Sequence, residues 1–299
     1  MTPATTTIDP QTLAEPVEPS IVGLDMPPQT GDLAPPGRSS RVGTRIRSAL
    51  STLGWAFVGV ATFVALWAIA TRYVDGVPTP LDTVRELGDL LSRAFTTDPL
   101  EGKGIGLQMQ ASLARVMKGF GLAALFGIPL GLFMGASTRA WKAMNPIVQI
   151  LRPVSPLAWF PIWLVAFSDA KKAAVFVIFI TALWPIVVNT AAGAASVPED
   201  HRNVARVFKF SRRAYVRHVL VPDTMPSIVT GLRLSMGVAW MVIVAVEMLS
   251  GGTGIGFYVW DAYNASNLAG VTAAIVLIGL VGLALDMVFI RLGKLVGRQ

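Results

Sequence analysis

The chain of 299 residues is 53% hydrophobic and only 14% charged, with a mean hydropathy of +0.58. Soluble domains carry roughly 25% charged residues, so this is the composition of a membrane protein. The absence of cysteine excludes disulfides, thiol catalysis and thiolate metal sites, and fits a bacterial inner-membrane protein. The net charge of +7 lies in arginines set between apolar stretches, which points to the membrane surface and not to nucleic acid.

Residues 1–37 contain Asp9, Glu15, Glu18, Asp25 and Asp32, many prolines and no Lys or Arg. Without a basic n-region or an apolar h-region this is no signal peptide. Its low hydrophobicity predicts a disordered cytoplasmic tail over residues 1–48. Arg38, Arg41, Arg45 and Arg47 precede the first apolar span and hold the N-terminus inside. A transmembrane domain follows over residues 49–299. Six stretches approach the roughly 20 apolar residues that a helical crossing needs: residues 55–71, 113–134, 146–167, 173–195, 228–249 and 271–290. The inner connections then hold Arg139 and Lys142, the basic segment 196–226, and Arg291, Lys294 and Arg298. The outer connection 250–269 has no Lys or Arg, and both termini are cytoplasmic.

Residues 73–112 are too polar to span. LDTVRELGDLLSRAF after Pro80 predicts an amphipathic helix whose stripe of Leu81, Val84, Leu87, Leu91 and Phe95 rests on the outer face of the spans. In the second span Gly127, Gly131 and Gly135 recur every four residues, and in the fifth Gly231, Ser235 and Ala239 do the same. Such small faces predict close helix packing. Pro129 and Pro185 predict kinks. GGTGIG at 251–256 follows an apolar helix and lacks the Lys-Ser/Thr ending of a phosphate-binding loop, so it is read as a flexible outer loop. His201 and His218 lie far apart without a carboxylate cluster, and no catalytic constellation or metal site stands out.

Ionisable residues inside spans are costly in lipid and tend to face the protein interior. Arg152 falls about two turns into the third span, Arg233 and Glu247 lie in the fifth, and Asp286 lies near the inner end of the sixth. Arg152 and Glu247 are candidates for inter-helix pairing or for a transport path.

The segment SVPEDHRNVARVFKFSRRAYVRHVLVPDTMP, residues 196–226, carries six cationic side chains between two apolar stretches: Arg202, Arg206, Lys209, Arg212, Arg213 and Arg217. It predicts a short helix over 200–208 with Val204, Val207 and Phe208 on one face. A second helix, N-capped by Ser211, runs through His218, and Pro222 and Pro226 stop it before the fifth span. Such a hairpin either lies on lipid or inserts its apolar face into a soluble partner.

This segment resembles the coupling loop of ABC importer permeases, whose pattern is E-A-A, three residues, G, nine residues, I-x-L-P. E-A-A falls on Asn203, Val204 and Ala205, the Gly on Lys209, and I-x-L-P on Val219, Leu220, Val221 and Pro222. The spacing and the final Pro are kept while the Glu and Gly are lost. Lys209 adopts φ > 0 less readily than Gly, which predicts a differently shaped turn. LRPVSPLAWFPI, FVIFITALWPIVVNT, TGLRLSMGVAW and EMLSGGTGIGFYVWDAYN extend the resemblance over residues 50–295. They narrow it to the nitrate/sulfonate/bicarbonate branch, and within it to the nitrate permeases.

The resemblance implies an all-α membrane protein with six transmembrane helices, the type I ABC importer permease fold and a cytoplasmic coupling hairpin. It implies a homodimer with a second copy, two cytoplasmic ATP-binding subunits that bind the ATP and Mg, and an external substrate-binding protein. The chain itself is then a non-catalytic subunit without a cofactor. Asn203, Val204, Ala205, Arg206, Phe208, Lys209 and Pro222 would form the ATPase-coupling surface. Arg152, Thr181, Trp184, Asn189, Arg233, Trp240 and Glu247 would line the path, offering modest donors and a favourable field to a planar monoanion that must also be released. Nitrate comes first among substrates; bicarbonate, nitrite, cyanate and an organic sulfonate stay open. The rival of another class is a proton-coupled carrier using Glu247 and Asp286, and a third reading is a membrane scaffold.

Overall fold

A computed structural model of the chain describes residues 38–74, 76–98 and 102–296. The tail expected over 1–48 lies outside the described residues as far as residue 37, and from Arg38 onward the chain is helical. Among the described residues the chain is almost wholly α-helical: α1 (Arg38–Ala70), α2 (Pro80–Ser92), α3 (Ile105–Ala136), α4 (Thr138–Leu151), α5 (Pro156–Phe167), α6 (Ala170–Ala195), α7 (Glu199–Val207), α8 (Arg212–Tyr215), α9 (Val221–Ser250), α10 (Ile255–Asn264) and α11 (Leu268–Val296). Two two-residue strands, β1 (Thr97–Asp98) and β2 (Gly102–Lys103), pair antiparallel between α2 and α3.

Four helical stretches are long and apolar enough to cross a bilayer: α3, α6, the run Arg212–Ser250 that ends in α9, and α11. Gly54–Ala70 in α1 is a shorter apolar stretch. The core is the sandwich of α3, α6 and α9. Gly119 lies against Ile178, Gly127 against Ile186, Gly131 against Thr190 and Gly135 against Ala191 and Ala194, so α3 and α6 run parallel. A Cβ at Gly131 would stand 2.6 Å from the Thr190 Cβ, so the backbones meet only because the glycines recur on one face. α9 runs antiparallel to α6, with Gly231 against Asn189 and the buried Ser235 hydroxyl donating to the Ala182 carbonyl at 2.8 Å. α11 closes on α9 through Trp240, whose indole N–H donates to the Ile278 carbonyl at 3.0 Å. Trp163, Phe167, Phe176 and Phe179 form a continuous aromatic cluster between α5 and α6.

The third stretch, 146–167, is not one helix. α4 and α5 meet at a 92° bend across residues 152–155. Pro153 and Pro156 explain the break, since each lacks an amide donor and disfavours helical geometry in the residue before it. The expected stop at Pro222 and Pro226 fails in the opposite sense. α8 passes through a π-helical turn, Val216–Leu220, directly into α9, and both prolines sit in a continuous helix. The π register, marked by Val221 N–H donating to the Val216 carbonyl, widens the turn in front of Pro222 and accommodates its ring.

α2 forms as the sequence predicts, with Thr79 and Asp82 in a reciprocal capping box. Both hydrogen bonds from Thr79 hold the Asp82 carboxyl below its ordinary value. The packing face differs from the expected stripe. Leu81, Val84, Leu91 and Phe95 are exposed, and α2 meets α11 through the buried Thr83, whose hydroxyl lies 2.9 Å from that of Thr272. GGTGIG is no flexible loop either. Its second half, Gly254–Gly256, is buried and hydrogen-bonded as it enters α10, a helix outside the six expected spans.

Candidate functional site

The elbow between α6 and α9 is built from local signals. Glu199 and Asp200 occupy the first turn of α7 and Arg206 its last, matching the helix dipole. α7 ends in a Schellman motif, in which Phe210 N–H donates to the Ala205 carbonyl (2.9 Å) and Lys209 N–H to that of Arg206 (3.1 Å). Lys209 takes φ +50°, so the glycine-type turn is kept and the lysine accepts the strain. Ser211 caps α8 by accepting from Ala214 N–H at 3.2 Å.

Two clamps fix this elbow to the spans. Arg202 Nη2 donates to the Ala195 carbonyl at the end of α6 (3.0 Å), and His201 Nδ1 lies 2.6 Å from Asp223 Oδ2 at the start of α9. Ala205 is buried, whereas Asn203, Arg206, Lys209 and Pro222 are exposed. Val204, Val207 and Phe208 stand together at 52%, 76% and 72% exposure, an apolar knob beyond the ends of α3 and α6.

The remaining candidates divide into two groups. Thr181 is buried and donates to the Val177 carbonyl of its own helix at 2.7 Å; Trp240 is buried and committed to Ile278. Glu247 is buried at 1% exposure. These three spend their polar groups inside the bundle. Asn189 and Trp184 are half-buried on α6, with Asn189 Nδ2 donating to the Pro185 carbonyl at 2.8 Å and Trp184 packed beside Val187. Arg233 is exposed on α9 and makes a bidentate pair with Asp286 of α11 (Nε–Oδ1 2.6 Å, Nη2–Oδ2 2.8 Å). Arg152 lies at the α4–α5 break, exposed, and not two turns inside a helix.

Glu247 reveals a cluster that the sequence reading missed. Its Oε2 accepts from the Ser112 hydroxyl (2.7 Å) and Gly256 N–H (3.1 Å), and its Oε1 pairs with Arg115. Arg115 also donates to the Thr253 hydroxyl (3.1 Å), Gln108 accepts from Gly254 N–H (2.6 Å), and Ser112 accepts from Ile255 N–H (2.8 Å). The N-terminus of α10 thus cradles an anion, and the anion is the chain's own carboxylate. Gly254, at φ +145°, is obligatory: a Cβ there would overlap the Glu247 carboxylate. Gln108, Ser112 and Arg115 recur at the i, i+4, i+7 spacing of one helical face, which was the available signal.

Two ends therefore carry the polar chemistry, a basic elbow at one and a carboxylate-locked cap at the other. The family described as the inner membrane component of binding-protein-dependent transport systems matches residues 127–299. The chain is 44% identical over 268 residues to the nitrate import permease protein NrtB of Leptolyngbya laminosa, covering 86% of this chain and 94% of that one. It is 41% identical over 244 residues to the bicarbonate transport system permease protein CmpB of Synechococcus elongatus, covering 80% and 88%. Among solved structures, an inward-facing form of the MetNI methionine ABC transporter superposes with a TM-score of 0.57 at 16% identity, over 64% of this chain and 95% of that one, a likeness of fold.

Proposed function

The chain belongs to the family of inner membrane components of binding-protein-dependent transport systems, and from that premise we propose that it is the transmembrane subunit of an ATP-driven importer of nitrate. The observation that carries the substrate is the 44% identity to a nitrate import permease over 86% of the chain. In this reading the elbow faces the cytoplasm and the α2–α10 end faces outward, where an external binding protein delivers the anion. Two cytoplasmic subunits bind and hydrolyse ATP with Mg, and a second copy of the chain completes the path.

The elbow supplies the mechanics. Val204, Val207 and Phe208 offer an apolar knob to the ATP-binding subunit, ringed by Asn203, Arg206 and Lys209. The Arg202 and His201 clamps make the knob one body with the ends of α6 and α9, so a push on it displaces both spans. Of the path candidates, Asn189, Trp184, Arg233 and Arg152 retain surface toward a second copy or the path. Arg233 offers an anion a guanidinium whose charge Asp286 already offsets, which suits a ligand that must leave. The proton-carrier reading is disfavoured because both of its candidate acids, Glu247 and Asp286, are held in ion pairs with arginine.

Proteoliposomes holding the chain, its ATP-binding subunits and its binding protein test this reading. ATP-dependent uptake of labelled nitrate, competed weakly by bicarbonate, is expected. Uptake by the chain alone under a proton gradient would overturn it. The 41% identity to CmpB supports bicarbonate as the second reading, which a reversed competition order would select. Phe208→Asp should release the ATP-binding subunits from a folded chain, because it places a charge in an apolar contact.

A further inference from the structure

Behind the elbow, on the side turned toward the spans, lies a groove of about 500 Å³ with a two-part lining. Its floor is apolar, including Ala136 at the end of α3, Ala194 at the end of α6, and Leu220. Arg202, Arg206 and Arg212 line it as well, and no acidic residue does. Among the described residues no carboxylate pairs with these three arginines. The Arg202 Nε is buried and has no hydrogen-bond partner. A buried guanidinium N–H without an acceptor, beside two further arginines, is an incomplete site for a tetrahedral or planar anion.

We infer that this groove binds the phosphate of an anionic phospholipid headgroup. Three features favour lipid over a soluble anion. The groove sits at the level where α3 and α6 end, which is where headgroups lie. Its floor offers apolar surface that free phosphate cannot use and a glycerol backbone can. Val216 and Phe210 line it with large partly exposed apolar surface, suited to acyl-chain carbons. The exposed guanidinium fork of Arg212 supplies the charge-assisted donors that phosphate oxygens accept. The lipid would hold the back of the elbow and leave Val204, Val207 and Phe208, none of which line the groove, exposed, with Arg206 bordering both surfaces. This inference does not depend on the transported anion or on the ATP-binding subunits.

The test uses the full chain in a neutral detergent, titrated with dihexanoyl-phosphatidylglycerol, dihexanoyl-phosphatidylcholine or inorganic phosphate, following its thermal unfolding midpoint. Phosphatidylglycerol is expected to raise the midpoint where phosphatidylcholine does not. Arg212→Gln should raise the half-saturating phosphatidylglycerol concentration by about tenfold, the loss expected for one charge-assisted contact. Arg213→Gln removes the same charge one residue away, outside the groove lining, and should leave the titration unchanged. Arg212→Lys keeps the charge without the fork, should fall between, and carries the test if the glutamine variant fails to fold. Equal stabilisation by both lipids, or an equal loss in the Arg212 and Arg213 variants, would overturn the site. Inorganic phosphate matching phosphatidylglycerol would overturn the assignment to lipid.

Discussion

Replacing Glu247 by Gln keeps the shape of the far-end cap and removes its charge. The carboxylate is 1% exposed and its partner Arg115 only 11% exposed, so neither can turn to water when the other is lost. Breaking a buried pair by removing one member costs about 3–5 kcal/mol. The amide oxygen still accepts from Ser112 or Gly256, which places Glu247→Gln near 3 kcal/mol on the same order-of-magnitude scale. Glu247→Ala also strips those two donors of their acceptor, at about 1–3 kcal/mol each, and should exceed it. For a domain of this size 3 kcal/mol corresponds to a midpoint lowered by about 6–12 °C. Thermal unfolding of the full chain in detergent, followed by tryptophan fluorescence, measures this. The decisive comparison is the double variant with Arg115→Met, which removes both charges and should recover most of the loss. Single losses that simply add, to within about 0.5 kcal/mol, would show that the two charges do not interact and refute the reasoning.

Gly135→Leu should prevent α3 from seating on α6, because even a Cβ overlaps the Ala191 carbonyl oxygen, and yield of folded protein after detergent extraction reads this out. Gly237→Ala, where nothing lies within 4 Å, should be tolerated and serves as the matched control. Lys209→Gly should stabilise the elbow by about 0.5–1 kcal/mol, the left-handed cost of about 1–2 less the roughly 0.5–1 of glycine's lost freedom, read as slower amide exchange in α7. Acidification should fray the first turn of α2. Asp82 is held below its ordinary value of 3.8, so its contribution is complete above that pH and is lost as pH falls through the depressed value. Amide exchange in that turn that stays flat between pH 6 and 3 after correction for intrinsic rates would contradict this.

The spans that hydropathy picks out are those whose apolar run is uninterrupted, and α3, α6, α9 and α11 are all of that kind. The small-residue faces of α3 and α9 were equally readable, because a four-residue spacing has one meaning on a helix and lipid offers no competing drive. The bend after Leu151 was written in Pro153 and Pro156, but a composition window averages across two prolines and cannot see a 92° turn. The run through Pro222 was hidden for another reason. Pro222 falls in the first turn of α9, where a missing amide costs least, and the π turn in front of it, which carries no sequence mark, joins that turn to α8. Glu247 was recognised as expensive, yet its counter-ion was not. Arg115 lies within the first turn of the expected span 113–134, where a cation is read as an interfacial charge and not as the partner of a carboxylate 132 residues away. Turn chemistry at Ser211 is local, and the expected N-cap forms.

The broken pair has a consequence for biosynthesis. α4 has 14 residues and α5 has 12, and neither alone reaches the roughly 20 that a bilayer crossing needs. α5 ends only two residues before α6 begins, and its Trp163 ring lies 4.0 Å from that of Phe176, which is synthesised later. The fifth helix therefore has little reason to settle in lipid on its own as it leaves the ribosome. It should enter as the leading half of a hairpin, committed once the longer helix behind it has emerged.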